Sequence, residues 1–235
     1  MLTIIELTGE RGSGKTTIAT LLGEALTPAS LLFIDASADQ ALTASLAPTA
    51  PILRLCDVLD SQGHIPVGRE AIDWTFHDLT VSVGDENDLL TVGALPSALG
   101  AIEREKLRYG LNRLIDAYDH IIVDGLHSVI HGLLPAETMR ILHVLRPEQF
   151  HNGGLPPVPA GEEASHATLL HTPALLLNGY AEEPLPHALE EALQEGHIQL
   201  IGKIPRYDTP QDCSRHMPLD FQNGLLRLNI PLSPG

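Results

Sequence analysis

A stretch near the N-terminus has the residue types and spacing that bind phosphate. Residues 9–17 read GERGSGKTT and follow the apolar run LTIIEL. Bracketing glycines let backbone N–H groups converge on phosphate oxygens at a helix N-terminus, while the lysine reaches the outer phosphates and the next threonine can ligate Mg²⁺. The sequence therefore predicts a nucleotide site whose phosphate contacts are Gly9, Gly12, Ser13, Gly14, Lys15, Thr16 and Thr17.

Two aspartates stand where apolar runs end, Asp35 in LLFIDASAD and Asp124 in DHIIVDG. Either could be a simple turn residue, because Asp is common after strands. Next to a phosphate loop, a carboxylate at the end of a neighbouring strand is also a natural metal ligand. The pattern predicts that Thr16, Asp35 and Asp124 hold Mg²⁺.

The elements that would position these residues can be read from the apolar pattern. Short runs bounded by turn residues are typical of buried strands, and they recur at residues 2–7, 31–34, 88–92, 120–123, 140–145, 174–177 and 198–202. Helical spacing fills the intervals, most clearly over Lys15–Leu26 and Leu99–Tyr118. This alternation predicts one α/β domain over residues 1–235, with a mostly parallel, doubly wound sheet and the nucleotide at the carboxyl ends of its strands.

Three other segments are less informative. The Gly- and Pro-rich residues 151–166 predict a surface loop or insertion, which is either a mobile lid or a tolerated insertion. Residues 48–83 give no legible pattern. The C-terminal LLRLNIPLSPG alternates apolar and polar residues, which predicts a strand or edge segment rather than a membrane helix.

Charge and composition narrow the function classes. The formal net charge is −16 with no basic block, so the overall field disfavours nonspecific binding to DNA or to anionic lipid. Cys56 and Cys213 are isolated, which favours a reducing compartment. The N-terminus lacks a basic segment ahead of its apolar run, and no apolar stretch reaches the length of about 18 residues expected for a membrane span. We expect a cytoplasmic protein with a protein partner.

The order of the motifs resembles a known family. The N-terminal loop, LLFIDASADQ, DHIIVDGL, ALLLNGY and IGKIPRYD follow one another as in the ParA/MinD family of deviant-Walker P-loop ATPases, a likeness that extends over residues 1–215. The resemblance implies ATP and Mg²⁺ as cofactors and a homodimer that can depend on ATP. It also implies that Asn178, Pro205 and Arg206 contact adenine. The absence of an NKxD-type motif disfavours GTP.

The loop departs from that family at its second and third residues. The family has KGGxGKT, and its early lysine reaches the partner's nucleotide across a dimer interface, whereas Glu10 and Arg11 occupy those places here. A carboxylate about 4 Å from a phosphate oxygen is repelled by a few kcal/mol, so Glu10 cannot replace the lysine. Three alternatives follow: Arg11 supplies the charge in trans, Glu10 pairs with a basic residue of a partner, or the contact is lost.

A second departure concerns hydrolysis. In the family's DxD motif the second Asp orients the attacking water, and Ser37 stands at that position here. Losing such a residue typically costs about 10²- to 10⁴-fold in rate. The spacing of Asp35 and Asp39 is similar to the iron-protein branch of the family. The resemblance therefore implies a slow ATPase, with Lys15, Arg11, Asp39 and Asp124 as catalytic candidates.

Three functions remain open from the sequence. The first is a weakly hydrolysing ATP switch that controls dimerisation or partner binding in positioning, partitioning or assembly of a larger system, such as a plasmid, secretion or polysaccharide-synthesis apparatus. The second is a nucleotide-bound adaptor that does not hydrolyse ATP. The third is metal delivery, suggested by His127 and His131, which would share one face of a helix.

Overall fold

The computed structural model describes residues 2–60, 62–65, 68–96, 99–125, 127–150, 174–180, 184–205 and 218–230. Within these residues the chain forms one eight-stranded sheet in the order β3-β4-β2-β5-β1-β6-β7-β8. The strands are β1 (Thr3–Thr8), β2 (Leu31–Asp35), β3 (Thr80–Ser82), β4 (Asn87–Thr91), β5 (His120–Asp124), β6 (Met139–Leu145), β7 (Ala174–Tyr180) and β8 (Gln199–Pro205). All neighbours pair in parallel except β3, which pairs antiparallel with β4.

Helices cover both faces of the sheet. They are α1 (Lys15–Leu26), α2 (Ala41–Leu46), α3 (Arg69–Asp78), α4 (Ala101–Ile115), α5 (Ser128–His131), α6 (His187–Gln194) and α7 (Leu219–Arg227). The helices α1, α2 and α7 share one aliphatic core with the sheet, and α3, α4 and α5 share another on the opposite face. A third, smaller cluster packs α6 against β7, on the face of β7 that α7 does not cover. The doubly wound α/β architecture is therefore confirmed.

The seven apolar runs all became strands, because strands buried on both faces read as continuous apolar segments. The eighth strand, β3, lies in the segment that gave no legible pattern. It has only three residues and lies at the edge of the sheet. Its residues are half-buried or exposed, so the segment shows little alternation of apolar and polar residues.

The expectation of a strand in the C-terminal LLRLNIPLSPG is wrong for its described residues, 225–230, and residues 231–235 lie outside the described ranges. Residues Leu219–Arg227 form the helix α7, which buries Phe221, Gly224 and Leu225 at helical spacing. Gly224 lies against the carbonyl oxygen of Ile201, so any larger residue would push α7 away from β8. The alternating pattern that suggested a strand begins only in the last turn of this helix. Among the described residues, no helix is long and apolar enough to cross a membrane.

Some expectations concern residues outside the described ranges. The predicted loop at residues 151–166 belongs to them, as do Arg206 and Cys213. The extent of the single domain over residues 1–235 also stays a prediction.

Candidate nucleotide-binding site

The phosphate-loop motif lies at the centre of the sheet's carboxyl edge. Strand β1 pairs with β5 on one side and β6 on the other, and the loop joins β1 to α1. Gly9, Gly12 and Gly14 all have positive φ, at 147°, 79° and 91°. A Cβ on Gly9 would collide with the carbonyl oxygen of Val144, and one on Gly14 with the side-chain amide of Asn178. The glycine spacing is thus required by backbone conformation and by close approach.

Lys15 folds back over this loop. Its Nζ donates hydrogen bonds to the carbonyl oxygens of Gly9 and Glu10, each at 3.0 Å. Burial lowers the pKa of Lys15, while the nearby charges of Asp124 and Asp39 oppose that effect. The ammonium group is therefore held over the loop by neutral acceptors, with a phosphate anion as a stronger partner for it.

Asp124 lies beside the first turn of α1, where Thr17 also sits. The Thr16 hydroxyl donates to Oδ2 of Asp124 at 2.6 Å, and the Asp124 side chain is fully buried. Burial raises the pKa of Asp124 to about 6; the Thr16 hydrogen bond opposes the rise, and the charge of Asp35 adds to it. Among the described residues, Oδ1 of Asp124 and the buried hydroxyl of Ser13 have no hydrogen-bond partner.

These two unpartnered oxygens fit a magnesium–nucleotide complex. Buried polar atoms without partners are rare and usually mark a ligand, ion or water. A hydroxyl and a carboxylate oxygen are suitable Mg²⁺ ligands or acceptors for its water shell, and they adjoin a loop built to bind phosphate. The Ser13 hydroxyl can thus bind a phosphate oxygen, and the unpartnered Oδ1 of Asp124, with the adjacent Thr16 hydroxyl, is chemically suited to Mg²⁺.

Asp35 has a different environment. It is fully buried, and Oδ1 accepts hydrogen bonds from the backbone and hydroxyl of Ser37, at 3.1 and 2.6 Å. Oδ2 accepts from the backbone and hydroxyl of Thr43, at 2.8 and 2.7 Å. The carboxylate therefore anchors the segment between β2 and α2. Its predicted role as a metal ligand would require it to give up some of these bonds.

The unusual residues of the loop face solvent. Glu10 is exposed and contributes its carbonyl oxygen, not its carboxylate, to the contact with Lys15. The side chain of Arg11 is 92% exposed and approaches Asp39 to 4.0 Å, while the Arg11 carbonyl accepts a 3.4 Å hydrogen bond from Gln149. Because Glu10 is exposed, water and salt screen the charge of its carboxylate.

The fold is similar to that of several solved structures at low sequence identity. MinD from Aquifex aeolicus is 19% identical over 99% of this chain and 98% of its own, with a TM-score of 0.62. An ATP complex of McdA from Cyanothece is 16% identical over 100% and 99%, with a TM-score of 0.57. Cobyrinic acid a,c-diamide synthase from Mycobacterium smegmatis, solved with an ATP analogue and magnesium, is 17% identical over 97% and 95%, with a TM-score of 0.60.

The chain has the fold of the ParA/MinD-type P-loop ATPases. No protein-family model matches the sequence, and no curated protein matches it either. Within this ParA/MinD-type fold, the strand ends of β1, β2 and β5 bring Lys15, Thr16, Asp35 and Asp124 together, as the sequence predicted.

Two of the predicted adenine contacts, Asn178 and Pro205, lie on the neighbouring strands β7 and β8. Asn178, near the end of β7, donates from Nδ2 to the carbonyl oxygen of Ser13 at 2.8 Å, so it touches the phosphate loop itself. Pro205 ends β8 and pairs with Tyr180. Arg206 lies outside the described residues, and its role stays a prediction.

The two histidines do not share a helix face. His127 precedes α5 in extended backbone, whereas His131 ends the helix and points to Glu6 on β1, at 2.6 Å from Nδ1 to Oε2. Among the described residues, no group of three potential ligands could hold a metal. The sequence does not identify Glu6 as a functional residue, because a single acidic residue within the apolar run LTIIEL is the only feature that distinguishes it.

Proposed function

We propose that this protein is an ATP-binding switch that uses Mg²⁺ and hydrolyses ATP slowly. The observation that carries the proposal is the convergence of Lys15, Ser13, Thr16 and Asp124 around a glycine cradle, where the buried Oγ of Ser13 and Oδ1 of Asp124 have no partner among the described residues. The fold similarity supports it, since several neighbours were solved with ATP, ADP or an ATP analogue.

Different groups of the chain have different proposed roles in binding and hydrolysis. The loop amides and Lys15 would bind the phosphate oxygens, and Asp124 with Thr16 would hold Mg²⁺, which would supply neutralisation of phosphate charge. Asp39 is exposed beside Arg11, close enough to influence the pKa of both Lys15 and Asp124. It is therefore the candidate for positioning the attacking water, in place of the carboxylate that Ser37 does not provide.

Adenine is the base that suits Asn178. One N–H of its amide donates to Ser13, so Asn178 keeps Oδ1 as an acceptor and a second N–H as a donor for a base. The acceptor can pair with the exocyclic amino group of adenine, and the absence of an NKxD-type motif disfavours guanine. This assignment depends on the amide orientation, which the Ser13 carbonyl fixes.

The role of the switch is proposed to be dimerisation or partner binding in positioning, partitioning or assembly of a larger system. Structural neighbours include a MinC:MinD cell-division complex from Aquifex aeolicus and a plasmid partition protein from Borrelia burgdorferi bound to AMPPNP. The net charge of −16 favours a protein partner over DNA or lipid.

A second candidate is a nucleotide-bound adaptor without hydrolysis. It is favoured by one observation: the Ser37 hydroxyl, at the place of the family's water-orienting Asp, is engaged with Asp35 at 2.6 Å. Metal delivery has no comparable support among the described residues.

Two measurements distinguish these candidates. Steady-state phosphate release that disappears in Lys15→Ala supports the switch; binding of ATP without any release supports the adaptor. Solution mass by light scattering, with Mg²⁺ plus ATP, ADP or no nucleotide, then tests the dimer. A dimer seen only with ATP and lost in Arg11→Ala assigns the trans contact to Arg11, whereas a dimer retained in that variant refutes this assignment.

A further inference from the structure

Glu6 is a charged residue inside the central strand. It is fully buried on β1, two positions before Thr8, which is the last residue of the strand before the phosphate loop. Its side chain lies on the face of the sheet that carries α5. Its Oε2 lies 2.6 Å from Nδ1 of His131, and its Oε1 has no partner among the described residues. A buried carboxylate is costly without compensation, so Glu6 depends on this histidine.

His131 belongs to the segment that leaves the nucleotide site. After Asp124, residues 125–138 connect β5 to β6 and include α5, a helix of only four residues. So short a helix has little stability of its own, and its position is set by what it contacts. Ile130 and Leu133 supply apolar contacts, and the Glu6–His131 pair supplies the polar one.

Two adjacent residues of β1 hold this segment at two points, Gly125 and His131. The amide of Gly125 donates to the carbonyl oxygen of Leu7 at 3.2 Å, and His131 bonds to the side chain of Glu6. Gly125 has a positive φ of 96°, and a Cβ there would lie 3.2 Å from the backbone of Ser37, which follows β2. The segment is thus tied to the strand that enters the phosphate loop and packed against the β2–α2 connection.

We propose that Glu6 and His131 are positioning residues whose ion pair holds residues 127–134 against β1 and couples that segment to the nucleotide in the phosphate loop. The coupling rests on the proposed ATP-binding function; the anchoring does not. Protonation of His131 sets the strength of the anchor, because a charge-assisted hydrogen bond is about twice as strong as a neutral one.

The titratable surroundings favour His131 as the group that responds to pH. The hydrogen bond to Glu6 is the main cause that raises its pKa, against an opposing effect of burial. His127 on the same segment and His143 on β6 face the same side of the sheet, and burial lowers the pKa of both. Asp124 contacts Thr16 on the α1 side. His131 therefore keeps its proton below its raised pKa, and its hydrogen bond to Glu6 weakens as pH rises through that pKa.

The first test of the anchor needs no nucleotide. Hydrogen exchange of amides 130–134 is measured at pH 6.0 and pH 8.5, corrected for intrinsic exchange, on native protein and on His131→Gln. We expect about three- to tenfold more frequent opening at pH 8.5 in the native protein and no pH dependence in the variant. The matched control is His127→Gln, which should behave as native because its Nδ1 has no partner among the described residues. Equal opening at both pH values in native protein, or unchanged pH dependence in His131→Gln, overturns the anchor.

The second test addresses the coupling. Dissociation constants for ADP and for a slowly hydrolysed ATP analogue are measured at pH 7 on native protein, Glu6→Gln and His131→Gln, with thermal unfolding as a check of folding. We expect ADP affinity within about twofold of native and at least a fivefold smaller preference for the ATP analogue in both variants. An unchanged preference overturns the coupling. Native protein that binds neither nucleotide refutes the proposed function and the coupling with it, while the exchange experiment still decides the anchor.

Discussion

The hydroxyl of Thr16 donates a 2.6 Å hydrogen bond to the carboxylate of Asp124, although the two residues are 108 positions apart in the chain. The contact joins the first turn of α1 to the end of β5, directly below the phosphate loop. It leaves Asp124 with one buried oxygen that has no partner among the described residues. The two most suitable Mg²⁺ ligands are thus already adjacent in the folded chain.

Replacing each buried aspartate separates metal binding from structure. Asp124→Asn should weaken Mg²⁺-dependent ATP binding by about tenfold or more without lowering stability, because the burial that raises the pKa of Asp124 also makes its charge costly. Asp35→Asn should instead lower the free energy of unfolding by about 2–4 kcal/mol, because an amide cannot accept all four bonds from Ser37 and Thr43. Calorimetric titration and urea unfolding measure the two effects. The reverse pattern would make Asp35 the metal ligand.

Two glycines of the loop form a matched pair. Both Gly12 and Gly14 have positive φ, but a Cβ on Gly12 meets nothing within 4 Å, whereas one on Gly14 collides with Asn178. Gly12→Ala should therefore cost only the backbone strain of about 1–2 kcal/mol, and Gly14→Ala clearly more. Adding Asn178→Ala should recover part of the Gly14→Ala loss and none of the Gly12→Ala loss. Thermal unfolding of the five proteins provides the measurement, and equal losses without recovery would contradict the close approach seen here.

His143 should make stability fall in acid. Burial lowers its pKa to about 4, so the unfolded chain binds a proton more readily than the folded chain between about pH 6.5 and pH 4. Native protein should then lose roughly 1.4 kcal/mol per pH unit relative to His143→Gln across that window, and nothing above it. The difference between the two proteins is the relevant quantity, since the raised pKa of Asp124 acts in the opposite direction in both. Parallel stability curves would show that His143 does not stay neutral.

The sequence predicted the elements whose buried residues form a continuous apolar run or a clear helical spacing. Seven parallel strands and α1 follow directly from apolar runs and spacing, and the loop motif located the site. A short strand at the edge of the sheet, such as β3, gives no such apolar run. The helix α7 shows the same limit, because its buried face depends on the fit of Gly224 against Ile201, which no periodicity reveals.

The sequence could predict the site only by locating the polar residues at the ends of the strands. Asp35 and Asp124 look alike in sequence, since each ends a buried strand, and only the contacts of Ser37 and Thr43 with Asp35 distinguish their environments. The pairing of Glu6 with His131 joins residues far apart in the chain and was hidden in an apolar run. Both relations depend on packing between elements, which local patterns do not encode.

The most direct test of nucleotide binding is calorimetric titration of ATP with Mg²⁺ into native protein, Lys15→Ala and Lys106→Ala. Lys106→Ala is a matched control, because it also removes one positive charge, here from α4. Nζ of Lys106 donates a 2.7 Å hydrogen bond to the carbonyl oxygen of Ile65. Charged hydrogen bonds contribute about 1.5–3 kcal/mol, so Lys15→Ala should bind about 10- to 100-fold more weakly than native, and Lys106→Ala within about twofold. Native protein without saturable binding, or Lys15→Ala with native affinity, would contradict an ATP site at this loop.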